Sequence, residues 1–295
     1  MVRQPEKILP FELFLMSFLA AFLIALGIVL AQFGMRHLPA LYGASVSVPT
    51  SAVFFLVLSP VTVDWENWQN TGVLIFAVAG LFYPAAVTLL NFASNLRLGG
   101  DLTAAMGNLT PLFAIGLAMA FLQEAPGAGQ IVGITVIFGG LGLIASSRVK
   151  SHPQASLLLL SIPLFGALLR GAAQPLVKTG LAIWPNAFAA ATVSYVVSAC
   201  VIWLVRGVYK PIDVTWSPRA IAWFVVIGLV NGTALLCLYV ALSGGQVTTV
   251  APVVATYPLM TYLINRVVLR QRGVSARGIG GIVLSVIGVI LLLTL

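Results

Sequence analysis

The chain has 295 residues, of which 60% are hydrophobic and only 7% are charged. Soluble globular domains carry about a quarter charged residues, so this composition excludes a water-covered surface and predicts an integral membrane protein. The formal net charge is +8, but the 15 lysines and arginines stand singly between apolar runs, which excludes the clustered basic face of a nucleic-acid-binding protein.

Ten apolar runs follow one another along the chain, and each has roughly the 20 residues that a membrane-crossing helix needs. The first run follows Arg3 and Lys7, but it is too long for the apolar part of a signal peptide, so we interpret it as a span. The connections are short and leave no room for a soluble domain. The sequence therefore predicts an all-α integral membrane protein with ten transmembrane helices, at residues 11–35, 38–58, 72–95, 101–122, 127–147, 155–178, 187–205, 218–242, 247–269 and 274–294.

The second half of the chain repeats the first at an offset of 147 residues. At this offset "TPLF" at 110–113 aligns with "YPLM" at 257–260, with the proline in register. We therefore predict two five-helix halves, at residues 1–150 and 151–295, within one membrane-embedded unit. Because five spans is an odd number, the second half enters the membrane from the opposite side, and inverted repeats of this kind are typical of secondary transporters.

Two stretches resemble a known family. They are "NFASNLRLGGDLTAAMGNLTPLFAIGLAMAFLQEAPGAGQIVGI" and "LYVALSGGQVTTVAPVVATYPLMTYLINRVVLRQRGV". Their aromatic residue, small-polar turn, mid-helix proline and terminal acid are similar to the pattern of EamA-type members of the drug/metabolite transporter superfamily. The second copy departs from the pattern, since Gln271 stands where Glu124 supplies the acid in the first. The resemblance implies a bundle with a central cavity that exports or exchanges small metabolites.

Prolines interrupt the fourth and ninth predicted spans, Pro111 in the fourth and Pro258 in the ninth. A proline removes a backbone donor and leaves a carbonyl without its helical partner. Within a membrane such a carbonyl must be satisfied by a neighbour or line a wet cavity. Polar side chains flank both prolines, so we favour a cavity over a simple bend in packed helices. Other polar residues of the third, eighth, first and sixth spans complete a polar interior.

Arg170, Gln174 and Lys178 recur at every fourth position of the sixth span, which places them on one face of a helix. Arg170 lies about 21 Å along the predicted span, inside the hydrocarbon core, where a lipid-facing arginine costs at least about 2.5 kcal/mol. We therefore expect it to face the interior and bind an anionic substrate group. The alternatives are that it satisfies freed carbonyls or pairs with Asp101 or Glu124.

Lys178 ends the sixth predicted span, where a lysine can reach interfacial water, so we expect an anchor whose replacement matters little. The candidate substrate-binding residues are Arg170, Gln174, Gln32, Asn108, Thr110, Tyr83, Asn91, Asn231, Thr256, Tyr257 and Tyr239.

The pattern favours a secondary transporter of small polar or amphipathic metabolites, amino-acid-like or organic acids, working as an exporter or exchanger by alternating access. A multidrug/proton antiporter is the alternative, ahead of an intramembrane enzyme or a channel. No nucleophile–base pair or metal-ligand set is evident, so we predict no catalytic residue, metal or cofactor. The expected partners are a small-molecule substrate and the lipid bilayer. Glycines of the fifth and tenth spans predict close helix packing, within one protomer or in a homodimer.

If the connections alternate sides, eleven of the 15 cations lie opposite the termini and three lie on the side of the termini. The positive-inside rule then places both termini outside the cytoplasm of a bacterial inner membrane. The resembled family usually keeps both termini inside, so charge and family disagree on orientation.

Overall fold

The computed structural model describes residues 10–98, 103, 106–149, 157–209, 214, 216–268 and 276–294. Every element of regular structure in these residues is helical. The helices are α1 (Phe11–Gly34), α2 (Ala40–Thr62), α3 (Asn70–Gly80), a π-helical segment (Leu81–Ala86), α4 (Val87–Leu98), α5 (Thr110–Leu122), α6 (Ala128–Val149), α7 (Leu157–Ile183), α8 (Ala187–Val208), α9 (Pro218–Gly244), α10 (Val247–Val254), α11 (Tyr257–Val268) and α12 (Ala276–Thr294).

Seven helical stretches of the described residues are long and apolar enough to cross a membrane. Three shorter apolar helices, Thr110–Phe121, Ala128–Gly140 and Val283–Leu292, occupy the other three predicted spans. The chain is thus an all-helical, multi-pass membrane protein, as the composition predicted. The count of ten crossings stays a prediction, because only seven stretches meet the length and composition criterion. The predicted boundary of the two halves, at residue 150, lies outside the described residues.

The third predicted span is broken, which the sequence analysis did not anticipate. The α-helix gives way to a π-helical segment at Leu81–Ala86, and Tyr83 within it has the extended backbone angles φ −142° and ψ 125°. Pro84 has no N–H to donate to the carbonyl four residues earlier. The Ser198 hydroxyl donates to that carbonyl, on Gly80, at 2.8 Å. A hydroxyl from α8 therefore adds a hydrogen bond at the carbonyl that lacks its usual α-helical donor, and it stabilises the break.

The fourth and ninth predicted spans are broken near their prolines. A turn at residues 108–109 precedes α5, and a turn at residues 255–256 separates α10 from α11. The two turns are separated by 147 residues, the offset found in the sequence. The three breaks place turns and extended backbone, rather than continuous helix, in the interior of the bundle.

The helices meet through small residues. A methyl group on Gly80 would lie 2.6 Å from the Ser194 carbonyl, so α3 and α8 are in backbone contact there. A methyl group on Gly133 would lie 2.6 Å from the Leu292 amide nitrogen, and one on Gly140 would lie 2.6 Å from the Gly281 carbonyl. These two glycines of α6 therefore pack against α12 within the protomer, which is one of the two roles predicted for them.

Aromatic residues gather at the two ends of the bundle. At one end, called the Trp184 end, the Trp68 ring is stacked on Trp65 at 5.7 Å and meets Trp184 edge-on at 5.2 Å between centroids. At the other end, called the Arg206 end, Phe33 stacks on Trp223 at 5.7 Å and Tyr42 meets Trp216 at 5.9 Å. Both ends thus carry the amphipathic rings expected where a helix bundle meets the membrane–water interface.

Candidate functional site

The candidate site is built around Arg170, at the centre of the 27-residue helix α7, with thirteen residues on either side. The guanidinium carbon lies 5.2 Å from the centroid of the Tyr83 ring, in a cation–π contact. The break in the third span, with its extended backbone at Tyr83, brings that ring to Arg170. A charge in mid-helix is therefore held against an aromatic face inside the bundle rather than toward lipid.

Two tyrosines contact Arg170, and two more lie near them. Tyr257 is hydrogen-bonded to the Arg170 side chain, and Tyr83 lies near Tyr195, Tyr239 and Tyr257. The Tyr239 hydroxyl, which is buried, donates to the Ser194 hydroxyl at 3.5 Å. The sequence analysis missed Tyr195, although it lies deep in an apolar span, where a hydroxyl is as unusual as the charge of Arg170. The region beside Arg170 is therefore rich in tyrosine.

Three buried polar atoms near Arg170 have no hydrogen-bond partner within the described part of the chain: Arg170 Nε, Gln174 Oε1 and Thr110 Oγ1. Gln174 and Thr110 are only 7% and 5% exposed. Thr110 lies against α7 beside Arg170, since a methyl group on Gly171 would lie 2.9 Å from the Thr110 carbonyl. Buried polar groups are nearly always paired, so an Nε donor, an amide acceptor and a hydroxyl left unpaired in one region indicate a place for a polar ligand.

Two more predicted residues border this region. A methyl group on Gly107 would lie 3.7 Å from the Tyr257 hydroxyl, so the break that contains the half-buried Asn108 faces Tyr257. The amide oxygen of Asn91 lies 3.7 Å from the position of a methyl group on Gly166, one turn before Arg170 on α7. The turn of the fourth span and helix α4 therefore bound the site on two sides.

Three predicted residues have other surroundings. The Thr256 hydroxyl donates to the Val253 carbonyl at 2.7 Å and stabilises the break between α10 and α11. Asn231 packs directly on Gly27, between α9 and α1. Gln32 is half-buried on α1, and no described contact joins it to Arg170. These three stay predictions as ligand contacts, and the first two have structural contacts of their own.

Lys178 has a specific structural role that the sequence analysis did not indicate. Helix α7 continues to Ile183, beyond the predicted end of the span, so Lys178 lies more than one turn inside it. Its ammonium group donates to the carbonyls of Leu242 and Gly245, at 2.8 Å each. Leu242 lies in the last turn of α9 and Gly245 directly follows that helix, where carbonyls lack helical backbone donors. Lys178 therefore caps α9 at the Trp184 end.

Glu124 is buried beside this cap, and it is not the partner of Arg170. Its carboxylate accepts from the Thr248 backbone N–H at 3.1 Å and from the Thr248 hydroxyl at 3.5 Å. A carboxylate at the N-terminus of a helix, here α10, is favoured by the helix dipole. Glu124 also interacts electrostatically with Lys178. Asp101, the other acid considered for Arg170, lies outside the described residues, as does Gln271.

A multi-pass helical bundle whose helices break around a central cation has the architecture of a membrane transporter. The chain belongs to the EamA-like transporter family, whose model matches residues 12–146 and again residues 155–294. The resemblance found in the sequence, to the drug/metabolite transporter superfamily, is thereby confirmed.

The fold is similar to that of known structures. One solved structure, titled "Crystal structure of protein", superposes with a TM-score of 0.80 at 14% sequence identity and covers 95% of each chain. At this identity the similarity shows a common fold alone. No curated protein matches the chain. Family membership therefore comes from the sequence model, and the fold comes independently from the structural comparison.

Proposed function

We propose that this protein is a secondary transporter that exports or exchanges small polar or amphipathic metabolites with an anionic group, of the amino-acid-like or organic-acid class. The observation that carries the proposal is the central Arg170 with its unpartnered Nε, beside the unpartnered Gln174 and Thr110 atoms. Buried polar atoms without partners are destabilising unless a ligand uses them, and charges inside membranes mark substrate paths.

The chemistry of these atoms fits such a substrate. The guanidinium fork binds a carboxylate through two parallel hydrogen bonds. Gln174 Oε1 accepts from an N–H or O–H of the substrate, and the Thr110 hydroxyl can donate or accept. The tyrosine rings pack against an apolar part and can hydrogen-bond at their edges. An amino acid or hydroxy acid carries all three kinds of group.

The ten spans, in this proposal, form two inverted halves with the site between them. Two observations support it: the family model matches twice in succession, and the breaks of the fourth and ninth spans are 147 residues apart. Arg170 and Gln174 come from the second half, whereas Tyr83 and Thr110 come from the first. A substrate bound by both halves is released when one half rocks against the other.

The Trp184 end also links the two halves. Glu124 of the first half is hydrogen-bonded to Thr248 of the second, beside the cap that Lys178 forms on α9. Alternating access at this end requires the Glu124–Thr248 contact and the edge-on contact of Trp68 with Trp184 to separate. We therefore propose the Trp184 end as one of the two gates.

The test is transport by the purified protein in liposomes, after a thermal-shift screen of amino and organic acids has found a stabilising ligand. We expect saturable counterflow of the labelled ligand. Arg170→Ala should fold with a similar unfolding temperature and lose counterflow by at least about tenfold, since a charge-assisted hydrogen bond to a carboxylate is worth about 1.5–3 kcal/mol. Arg170→Lys should keep a fraction of the activity.

Arg219→Ala is the matched control, because Arg219 is an exposed cation at the end of the bundle. It should transport like the parent. A folded Arg170→Ala protein with parental counterflow would contradict the proposed site. Conductance without counterflow would instead indicate a channel, and conversion of the ligand would indicate an enzyme.

A further inference from the structure

A second cationic site lies at the Arg206 end, on the outside of the bundle. Tyr42, Trp203, Arg206 and Gly207 line an open cavity of about 200 Å³. Arg206 is half-buried in the last turn of α8, whereas Trp203 is 58% exposed on the membrane-facing side of that helix. Arg206 is eleven residues beyond Tyr195, or about 16 Å along the helix axis, so this cavity is separate from the Arg170 site.

The Arg206 guanidinium contacts two rings. Its carbon lies 4.9 Å from the centroid of Trp216 and 5.7 Å from that of Tyr42. The two rings contact each other as well, at 5.9 Å between centroids, so both lie on one side of the guanidinium. The other side of the guanidinium can offer N–H groups to a planar or tetrahedral anion. Trp203 is fixed as well, because its indole N–H donates to the Ser45 carbonyl at 3.0 Å. The cavity therefore contains a preorganised cation and has rigid aromatic walls.

The charges around the cavity indicate the kind of anion. Arg36 and Arg219 lie at the same end and are exposed. The described acids, Glu12 and Glu124 among them, lie at the opposite end. Basic pockets between membrane helices at headgroup depth bind anionic lipid headgroups. Exposed tryptophan at the rim places the opening at that depth.

We propose that this cavity binds the phosphate of an anionic phospholipid headgroup, with Arg206 as the phosphate ligand and Trp203 as the wall against the glycerol and upper acyl region. The site is independent of the transported substrate. The phosphate accepts hydrogen bonds from the Arg206 edge, and the acyl chains continue along the lipid-facing surface of α8.

Native mass spectrometry of the purified protein, titrated with phosphatidylglycerol or phosphatidylcholine, tests the proposal. We expect the parent to prefer phosphatidylglycerol, and Arg206→Gln to weaken its binding about fivefold, as one cation near a headgroup contributes about 1 kcal/mol. Arg36→Gln is the matched control, since Arg36 also lies over a ring, that of Phe33 at 5.1 Å, but does not line the cavity. It should keep most of the preference.

Equal binding of phosphatidylglycerol by Arg206→Gln and the parent would overturn the proposal. Displacement of the lipid by millimolar inorganic phosphate would also overturn it, because the ligand would then be a free anion. A dimer whose interface excludes the lipid would overturn it as well. If Arg206→Gln does not fold, Arg206→Lys carries the test. It keeps the charge but loses the planar fork, and unchanged lipid affinity in that variant would also overturn the proposal.

Discussion

Replacing Lys178 by Met should destabilise the protein clearly, although the sequence alone predicts little effect. The ammonium group donates two hydrogen bonds of 2.8 Å to the last carbonyls of α9. Hydrogen bonds to charged groups contribute about 1.5–3 kcal/mol each, and the lower value applies because Lys178 is only half-buried. The expected loss is therefore about 3 kcal/mol, and breaking the contact also leaves Glu124 without its nearby cation.

The assay is thermal unfolding in detergent, followed by tryptophan fluorescence. At the usual unfolding entropy per residue, 1 kcal/mol shifts the midpoint of a 295-residue protein by about 1.5–2 °C, so Lys178→Met should lower it by about 5 °C. Lys178→Arg keeps the charge and donors and should recover part of that shift. Arg36→Met, which removes an exposed cation at the other end, serves as the control and should leave the midpoint nearly unchanged. A Lys178→Met midpoint within about 2 °C of the parent would refute the capping argument.

Three further predictions follow from the packing and the charges. Gly140→Ala should destabilise the protein by about 1–3 kcal/mol through overpacking, because the new methyl group would lie 2.6 Å from the backbone of α12. Gly142→Ala is the control and should have no such effect, since a methyl group there meets nothing within 4 Å. Thermal unfolding curves of the two variants test this, and equal midpoints would contradict the close packing. Ser198→Ala should remove the side-chain hydrogen bond to the Gly80 carbonyl, cost about 0.5–1.5 kcal/mol, and raise the KM for transport by displacing Tyr83, while Ser198→Thr rescues part of the loss. An unchanged KM would show that the break holds Tyr83 without this hydrogen bond. A C-terminal fusion to a reporter active only in the cytoplasm should stay silent if the positive-inside prediction is right, and a strong signal would reverse the orientation.

The sequence alone determined several properties of this protein, because they depend on local composition. Low charge and long apolar runs determine that the helices lie in a membrane, since burying charge in lipid is costly at any position. Pro111 and Pro258 predicted breaks near where they occur, because a missing backbone donor acts on its own helix. Arg170 was placed in the membrane interior by counting 1.5 Å per residue along an apolar run.

The tertiary structure decided which residues meet. Nothing near Lys178 in the sequence indicates that it caps α9, since the carbonyls it binds are 64 and 67 residues away. Ser198 of another helix donates to Gly80 at the break in the third span, and the Tyr83 ring at this break contacts Arg170. Hydropathy and proline act along one helix, but the hydrogen-bond partners of Lys178 and the residues grouped around Arg170 depend on contacts between helices distant in the chain. The architecture therefore followed from local physics, whereas the composition of the candidate site depended on the packing of the bundle.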